Sequence, residues 1–340
     1  MGLFSFLTQE LAIDLGTANT IIYANDQKVI DEPSIVAIDI PTKKPLAVGA
    51  QAKLMHERTN PTIKTVRPLK DGVIADFDAA EIMLRGFIDM INYKKSLFSP
   101  SLKMVVCIPQ GSTEVEIRAV RDSAEHAGGR DVYIILEPMA AAMGVGLDVN
   151  APTGHMVVDI GGGTTEVAVI SLGGIVSARS VRAAGDLFTA EIQQYMKAQH
   201  NIKVGEITAE DIKIKIGAAI ADLDEAVEPY TVKGPNQITF LPIETQVSSK
   251  EIAHCLDKSL AKIEAEIMAV LESTPPELYS DIVNNGIYLT GGGALLKGID
   301  KRFSRKINIP FHVSEDPLHA VARGTCMAVK DTKKYAFLMR

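Results

Sequence analysis

Between Met156 and Ile170 the chain reads apolar, then polar and glycine-rich, then apolar again, the pattern of a strand, a tight turn and a second strand. The same alternation appears at Ile13-Asp14-Leu15-Gly16-Thr17-Ala18-Asn19-Thr20, which matches Val158 to Thr165 position by position. Around these hairpins the periodicity predicts an α/β order. Asp78 to Asn92 is amphipathic, with Ile82, Phe87 and Ile91 on its apolar side, and predicts a helix. Lys103 to Ile108 and Val132 to Leu136 read as strands, with a helix over Ser112 to Ala127 between them that ends at Gly128-Gly129. Glu137-Pro138 opens a helix through Met139 to Gly144, and Gly185-Asp186 opens another over Leu187 to Ala198. Thr208-Ala209-Glu210-Asp211 fits a helix-opening cap and predicts a helix running to about Leu223, although the alternation Ile212 to Ile216 also suits a strand. Lys250 to Glu272 predicts a long helix stopped by Pro275-Pro276. Gly286 to Thr290 predicts a strand leading through three glycines into a helix over Ala294 to Ser304. Prolines break Val29 to Val48 into short strands, Ala50 to Glu57 suits a short helix, and Asp222 to Ser249 is the least regular stretch.

Length and charge narrow the reading. A chain of 340 residues with 46% apolar and 23% charged residues suits about two globular domains. A formal charge of −7 gives no footprint for nucleic acid as a main partner. Cys107, Cys255 and Cys326 lie far apart and follow no metal spacing, so buried thiols in a reducing compartment are expected. No apolar run is long enough to span a bilayer, and the first residues lack the basic start and cleavage site of a secretory signal.

The duplicated hairpins carry the candidate chemistry. Gly161, Gly162 and Gly163 allow a sharp turn whose backbone can approach a ligand closely. Successive N–H groups there, with the hydroxyls of Thr164 and Thr165, make a nest for phosphate oxygens. Asp159 would repel bare phosphate, and its place is understood if Mg²⁺ lies between them, held through water. Asp14 has the same place in the first hairpin, beside Gly16. Two such hairpins, one per domain, predict a shared cleft holding a Mg-nucleotide from both sides. Glu137 follows a strand directly, where ligand-facing residues of α/β sheets lie. Glu210 and Lys213 are three apart and share a helix face. Gly291, Gly292 and Gly293 form a third glycine-rich turn, expected to lie flat against an adenine or ribose.

Taken in order, these pieces resemble the actin, Hsp70 and sugar-kinase superfamily and, within it, the MreB family of bacterial actins. The resemblance rests on Ile13 to Thr20, Arg67 to Asp76, Glu137 to Ala142, Met156 to Gly174, Thr274 to Leu278 and Leu289 to Leu296. It implies a two-domain actin-like ATPase fold with duplicated ribonuclease H-like domains. The first would span 1–148 with a small insertion at about 36–68 and a returning segment at 326–340. The second would span 149–325 with an insertion at 187–249. It implies ATP or ADP and Mg²⁺ in the cleft. Thr17, Ala18, Asn19 and Gly161 to Thr164 would bind phosphates, with Asp14 and Asp159 on Mg²⁺ and Glu137 orienting the attacking water. Glu210, Asp211, Ile212 and Lys213 would face the ribose and adenine, and Gly291 to Ala294 would line the adenosine. The family pattern has an acidic residue where Lys215 stands. A cytoskeletal filament on the inner face of the cytoplasmic membrane is the function implied, with self-association and cell-wall synthesis partners that include RodZ, MreC and MreD. A small-metabolite phosphotransferase of the superfamily is the alternative, without a substrate motif to support it. An Hsp70-type chaperone is disfavoured because no room is left for a peptide-binding domain.

Two apolar features suit the membrane reading. Leu3, Phe4, Leu7 and Leu11 fall on one helical face, with Phe6 adding to an unusually apolar stretch. Leu97-Phe98 stands among Lys94, Lys95 and Lys103, which suits an anionic lipid surface. Folding back onto the core is the alternative for both.

Overall fold

The computed structural model describes residues 8–91 and 101–340. Strands β1 (Thr8–Leu15), β2 (Asn19–Ala24) and β3 (Gln27–Pro33) form an antiparallel meander. β4 (Val36–Asp39), β5 (Pro45–Val48) and β6 (Ile63–Val66) make a small sheet of their own, carrying α1 (Gly49–Met55). It closes on its own apolar cluster of Ile35, Ala37 and Ala52. The short hairpin β7 (Leu69–Lys70) and β8 (Val73–Ile74) leads to α2 (Phe77–Ile91). β9 (Ser101–Ile108), α3 (Glu114–His126), β10 (Gly129–Leu136) and α4 (Glu137–Gly144) follow. β9 is almost wholly buried, as a central parallel strand covered on both faces must be. Helix α3 starts where Thr113 and Glu116 cap each other's backbone N–H groups.

The second half repeats this plan. β11 (His155–Ile160), β12 (Thr165–Ser171) and β13 (Gly174–Val181) form the meander. Helices α5 (Gly185–His200) and α6 (Glu206–Ile216), the hairpin β14 (Tyr230–Pro235) and β15 (Pro242–Val247), and helices α7 (Ser249–Glu272) and α8 (Pro276–Asn285) come next. β16 (Ile287–Thr290), a 3-10 turn at Gly292–Leu295, α9 (Ile299–Ile307), β17 (Phe311–Val313) and α10 (Ala320–Lys330) complete it. The two five-stranded sheets have orders β10-β9-β1-β2-β3 and β17-β16-β11-β12-β13, which are the same order twice. In each, the last two strands join the meander in parallel. The duplication read from the hairpins therefore extends to whole lobes.

Two boundaries differ from the sequence reading. Helix α6 starts at Glu206, not at Thr208, with Gly205 as an N-cap that offers no side chain. The Glu206 N–H is taken instead by the Glu57 carboxylate of the first lobe, at 3.1 Å. The helix stops at Ile216 because the chain beyond Gly217 turns aside to pair with Lys297. That pairing also explains the other difference. The helix expected over Ala294 to Ser304 is split into the 3-10 turn and α9, with Lys297 drawn out between them and Gly298 left-handed.

Each lobe has its core, and a third core joins them. It contains Ala12 and Val105 from the first sheet, Val157 and Ile170 from the second, and Met139 and Val321 from α4 and α10. The two helices cross with no room to spare. A Cβ on Gly144 would overlap the Ala320 carbonyl oxygen, and one on Gly324 would overlap the Ala140 carbonyl oxygen. The two spacings, Ala140 to Gly144 and Ala320 to Gly324, are one helical turn each, so small residues meet small residues on both faces.

Candidate functional site

The two glycine-rich turns meet across a cleft of about 480 Å³ between the lobes, a volume in the usual range for ligand sites. A Cβ on Gly162 would come within 2.7 Å of the Ala18 Cβ, and one on Gly163 within 2.7 Å of the Thr17 Oγ1. Side chains there would hold the turns apart, so the glycines serve the approach of one hairpin to the other. The first turn is propped from beneath by Ser34, whose hydroxyl donates to the Gly16 carbonyl at 2.6 Å and whose N–H donates to that of Ala18 at 2.9 Å. The second turn is extended by α5, where the N–H groups of Gly185 and Asp186 donate to the carbonyls of Gly161 and Gly162.

Carboxylates converge below the turns. Asp14, Asp159 and Glu137 line the cleft, and Glu166 stands directly across the β11–β12 pair from Asp159. Burial pushes Asp14 up to about 7, partly offset by a hydrogen bond from the Cys107 thiol. Burial pushes Asp159 up to about 6, against a hydrogen bond from the Thr290 hydroxyl. Glu166 rises to about 7 through burial, although the Ser180 hydroxyl bonds it at 2.7 Å. Glu137 is raised well above the usual carboxylate range by burial and then by the charges of Glu166, Asp159 and Asp14. Among the described residues no Lys or Arg pairs with any of the four. Four carboxylates without a cation are the donor set a divalent ion compensates. Among the described residues no group of three His, Cys, Asp or Glu side chains closes on one point.

One wall of the cleft is polar. Lys213 Nζ lies 2.6 Å from Glu210, and also donates to the Gly185 carbonyl at 2.9 Å and to the Thr189 hydroxyl at 3.0 Å. Burial alone would raise Glu210, but Lys213 and Thr189 outweigh it and hold its carboxyl below the ordinary value. At the mouth, Arg67 of the first lobe reaches across to Glu206 at 2.7 Å and to Asp186 at 3.0 Å. His56 lies 3.4 Å from the same Glu206.

The family model described as MreB/Mbl protein matches residues 8–336. This chain belongs to the MreB/Mbl family. It is similar to the cell shape-determining protein MreB of Escherichia coli (strain K12), 48% identical over 328 residues, covering 95% of this chain and 93% of that one. It is similar to the cell shape-determining protein Mbl of Bacillus subtilis (strain 168), 44% identical over 327 residues, covering 96% and 97%. The crystal structure of MreB5 of Spiroplasma citri bound to AMPPNP matches with a TM-score of 0.90 at 37% identity, over 96% of this chain and 97% of that one. The fold is thus the two-domain actin-like ATPase fold.

Within this MreB/Mbl chain the expected site residues separate into two groups. Asp14, Gly16, Thr17, Ala18, Asn19, Glu137, Asp159, Gly161 to Thr164, Glu210, Lys213 and Gly291 to Gly293 all line the one cleft. Asp211, Ile212 and Ala294 do not line it, nor does Thr165, which is buried with its hydroxyl on the Ala183 carbonyl at 2.6 Å. Ile212 is fully buried in the second-lobe core, because positions 206, 207, 210, 213 and 214 share the cleft face of α6 and 212 turns away. Ala294 is carried into the same core by the 3-10 turn. Gly291 and Gly293 also have a local reason that the sequence reading missed. Gly291 has φ +78°, and its Cβ would lie 2.6 Å from the Asp159 Oδ1, while one on Gly293 would overlap the Ile160 side chain. Lys215 points away from the cleft and stacks over the Tyr230 ring, 4.8 Å from its centre.

Leu3, Phe4, Phe6, Leu7, Leu97 and Phe98, with Lys94 and Lys95, lie outside the described residues. Lys103, grouped with them as a surface cation, is committed elsewhere: its ammonium bonds Glu10 at 3.1 Å and the Val329 carbonyl at 2.7 Å. No helix among the described residues is long and apolar enough to cross a membrane. The sequence reading assigns no site role to Arg67, Glu206, Ser34, Thr290 or Glu166, and takes Cys107 only as a buried thiol. Aligning the two halves strand by strand, beyond their hairpins, would have found Cys107 and Thr290.

Proposed function

We propose that this chain is an ATP-hydrolysing bacterial actin that assembles into filaments on the inner face of the cytoplasmic membrane and directs cell shape through cell-wall synthesis. The observation that carries the reading is the meeting of two Asp-bearing glycine turns in one cleft that Glu137 also lines. The likeness to cell shape-determining relatives and to a protein solved with AMPPNP supports it. In this reading the N–H groups of the two turns, with Thr17 and Thr164, bind the ATP phosphates. Glu210 and Lys213 bound the nucleoside side, and Gly291 to Gly293 cover it. Asp14 and Asp159 would hold Mg²⁺ through water, and the ion would supply the positive charge that the buried carboxylates and the phosphates both lack. Glu137 orients the attacking water. The domain division belongs to the same proposal, with the return to the first domain at about Ala320, because α10 packs on β1, β9 and α4. RodZ, MreC, MreD and the membrane contact of the N-terminal and Leu97-Phe98 segments rest on the resemblance alone.

Glu137→Ala tests the reading. It should bind ATP with parental affinity and lose about 10²–10⁴-fold in turnover. Sedimentation with ATP, followed by negative-stain microscopy, should show filaments for the parent. A parent that neither binds ATP nor pellets, or a Glu137→Ala variant that hydrolyses at the parental rate, would sink it.

A further inference from the structure

The two sheets place a hydrogen-bond donor beside each cleft aspartate by the same rule. In the first lobe, Asp14 on β1 is in register with Cys107 on the parallel strand β9. In the second, Asp159 on β11 is in register with Thr290 on the parallel strand β16. Both partners are fully or almost fully buried. The Cys107 Sγ donates to the Asp14 Oδ1 at 3.2 Å, and the Thr290 Oγ1 donates to the Asp159 Oδ1 at 2.8 Å. The same carboxylate oxygen is bonded in both lobes, and Oδ2 accepts no hydrogen bond from the described residues in either.

We infer that Cys107 and Thr290 are a duplicated pair of positioning residues, each turning its neighbouring aspartate so that Oδ2 is the oxygen offered to the cation of the cleft. The inference rests on the nucleotide reading above. A hydroxyl is a stronger donor than a thiol, so the two lobes are not equal partners. Asp159 is held firmly, and Asp14 is the aspartate with freedom to reorient. Burial of the thiol also argues against a redox role, since burial pushes the Cys107 thiol well above its ordinary range and disfavours the reactive thiolate.

The test measures Mg²⁺ dependence of nucleotide binding, not turnover. A fluorescent ATP analogue is titrated with and without Mg²⁺ against Cys107→Ala, Cys107→Ser, Thr290→Val and Thr290→Ser. Cys107→Ala should raise the Mg²⁺ midpoint about three- to tenfold, and Thr290→Val about ten- to a hundredfold, while binding in chelator stays parental. Both serine variants should restore the parental midpoint, because each keeps a donor. Unchanged midpoints would overturn the inference. So would losses that are equal with and without Mg²⁺ and that serine fails to rescue, since those mark packing alone. A second measurement needs no nucleotide. The S–H stretch assigned to Cys107 by its loss in Cys107→Ser should shift on Asp14→Leu, and an unmoved band would mean that the thiol makes no such bond. If the parent binds no nucleotide while the band shifts, the nucleotide reading fails and the donor geometry stands.

Discussion

The lobes are joined along two seams of opposite character. At the back, α4 and α10 cross with glycine against carbonyl in both directions, inside a core shared by the two sheets. At the mouth, Arg67 pairs with Asp186 and Glu206, His56 lies 3.4 Å from Glu206 and Glu57 takes the Glu206 N–H, with the side chains of Arg67, His56 and their acidic partners 23–39% exposed. Close-packed backbone cannot be stretched without opening voids, whereas half-exposed ion pairs are worth about 0–1 kcal/mol each. The difference says where the molecule moves. It predicts a pivot at the back seam and a mouth that opens and closes about it.

The largest expected effect breaks the pivot. Gly144→Val and Gly324→Val each force a side chain into a carbonyl that belongs to a packed helix, and should cost well over about 3 kcal/mol. Denaturant unfolding of the nucleotide-free protein measures it. Parental stability in either variant would mean that the helices can slide apart, and the contrast between the seams would be lost.

The next effect lies between the seams, in the carboxylate floor. Asp14 and Asp159 are raised from 3.8 to about 7 and about 6. The folded nucleotide-free protein therefore keeps protons that the unfolded chain releases above pH 3.8. The contribution of these two groups to stability should fall as pH rises from about 4 to about 7 and level off beyond, because at these sites the unfolded state binds fewer protons in that window. Asp14→Asn should flatten the fall, as followed by denaturant midpoints across that range. An unaltered slope would mean that burial does not raise Asp14 in the folded protein.

The smallest effect in stability sharpens the comparison most. Arg67→Ala should change unfolding free energy by about 1 kcal/mol or less, yet speed release of a fluorescent ATP analogue several-fold in stopped flow. Salt should speed release from the parent and hardly affect the variant, since screening acts on exposed pairs. Equal release rates for parent and variant would leave the mouth without a gating role.

Much of this architecture was legible in the chain because it is local. The hairpins at Asp14 and Asp159, and the helix before Pro275-Pro276, announce themselves through spacing and turn chemistry within a dozen residues or so. What was missed is decided across the lobes. Thr208 looked like a helix cap, but α6 begins earlier because a carboxylate from the other lobe, Glu57, takes the first N–H. Gly291 and Gly293 read as room for a ligand, and they are also room for Ile160 and Asp159. Arg67 lay inside a matched phrase, and its partners at Asp186 and Glu206 became visible only when the mouth was assembled.

The packing of α10 has a consequence for synthesis. The second lobe's sheet is built from one continuous run, from β11 to β17. The first lobe's sheet is complete by β10, but α10, which covers β1 and β9, is made only after the whole second lobe. On a ribosome the earlier half must wait with β1 and β2 uncovered on one face, α4 covering only β9 and β10, while the later half folds. A nascent chain of this protein therefore has its longest exposure to aggregation in its first-made part, the reverse of the usual order in which N-terminal domains finish first.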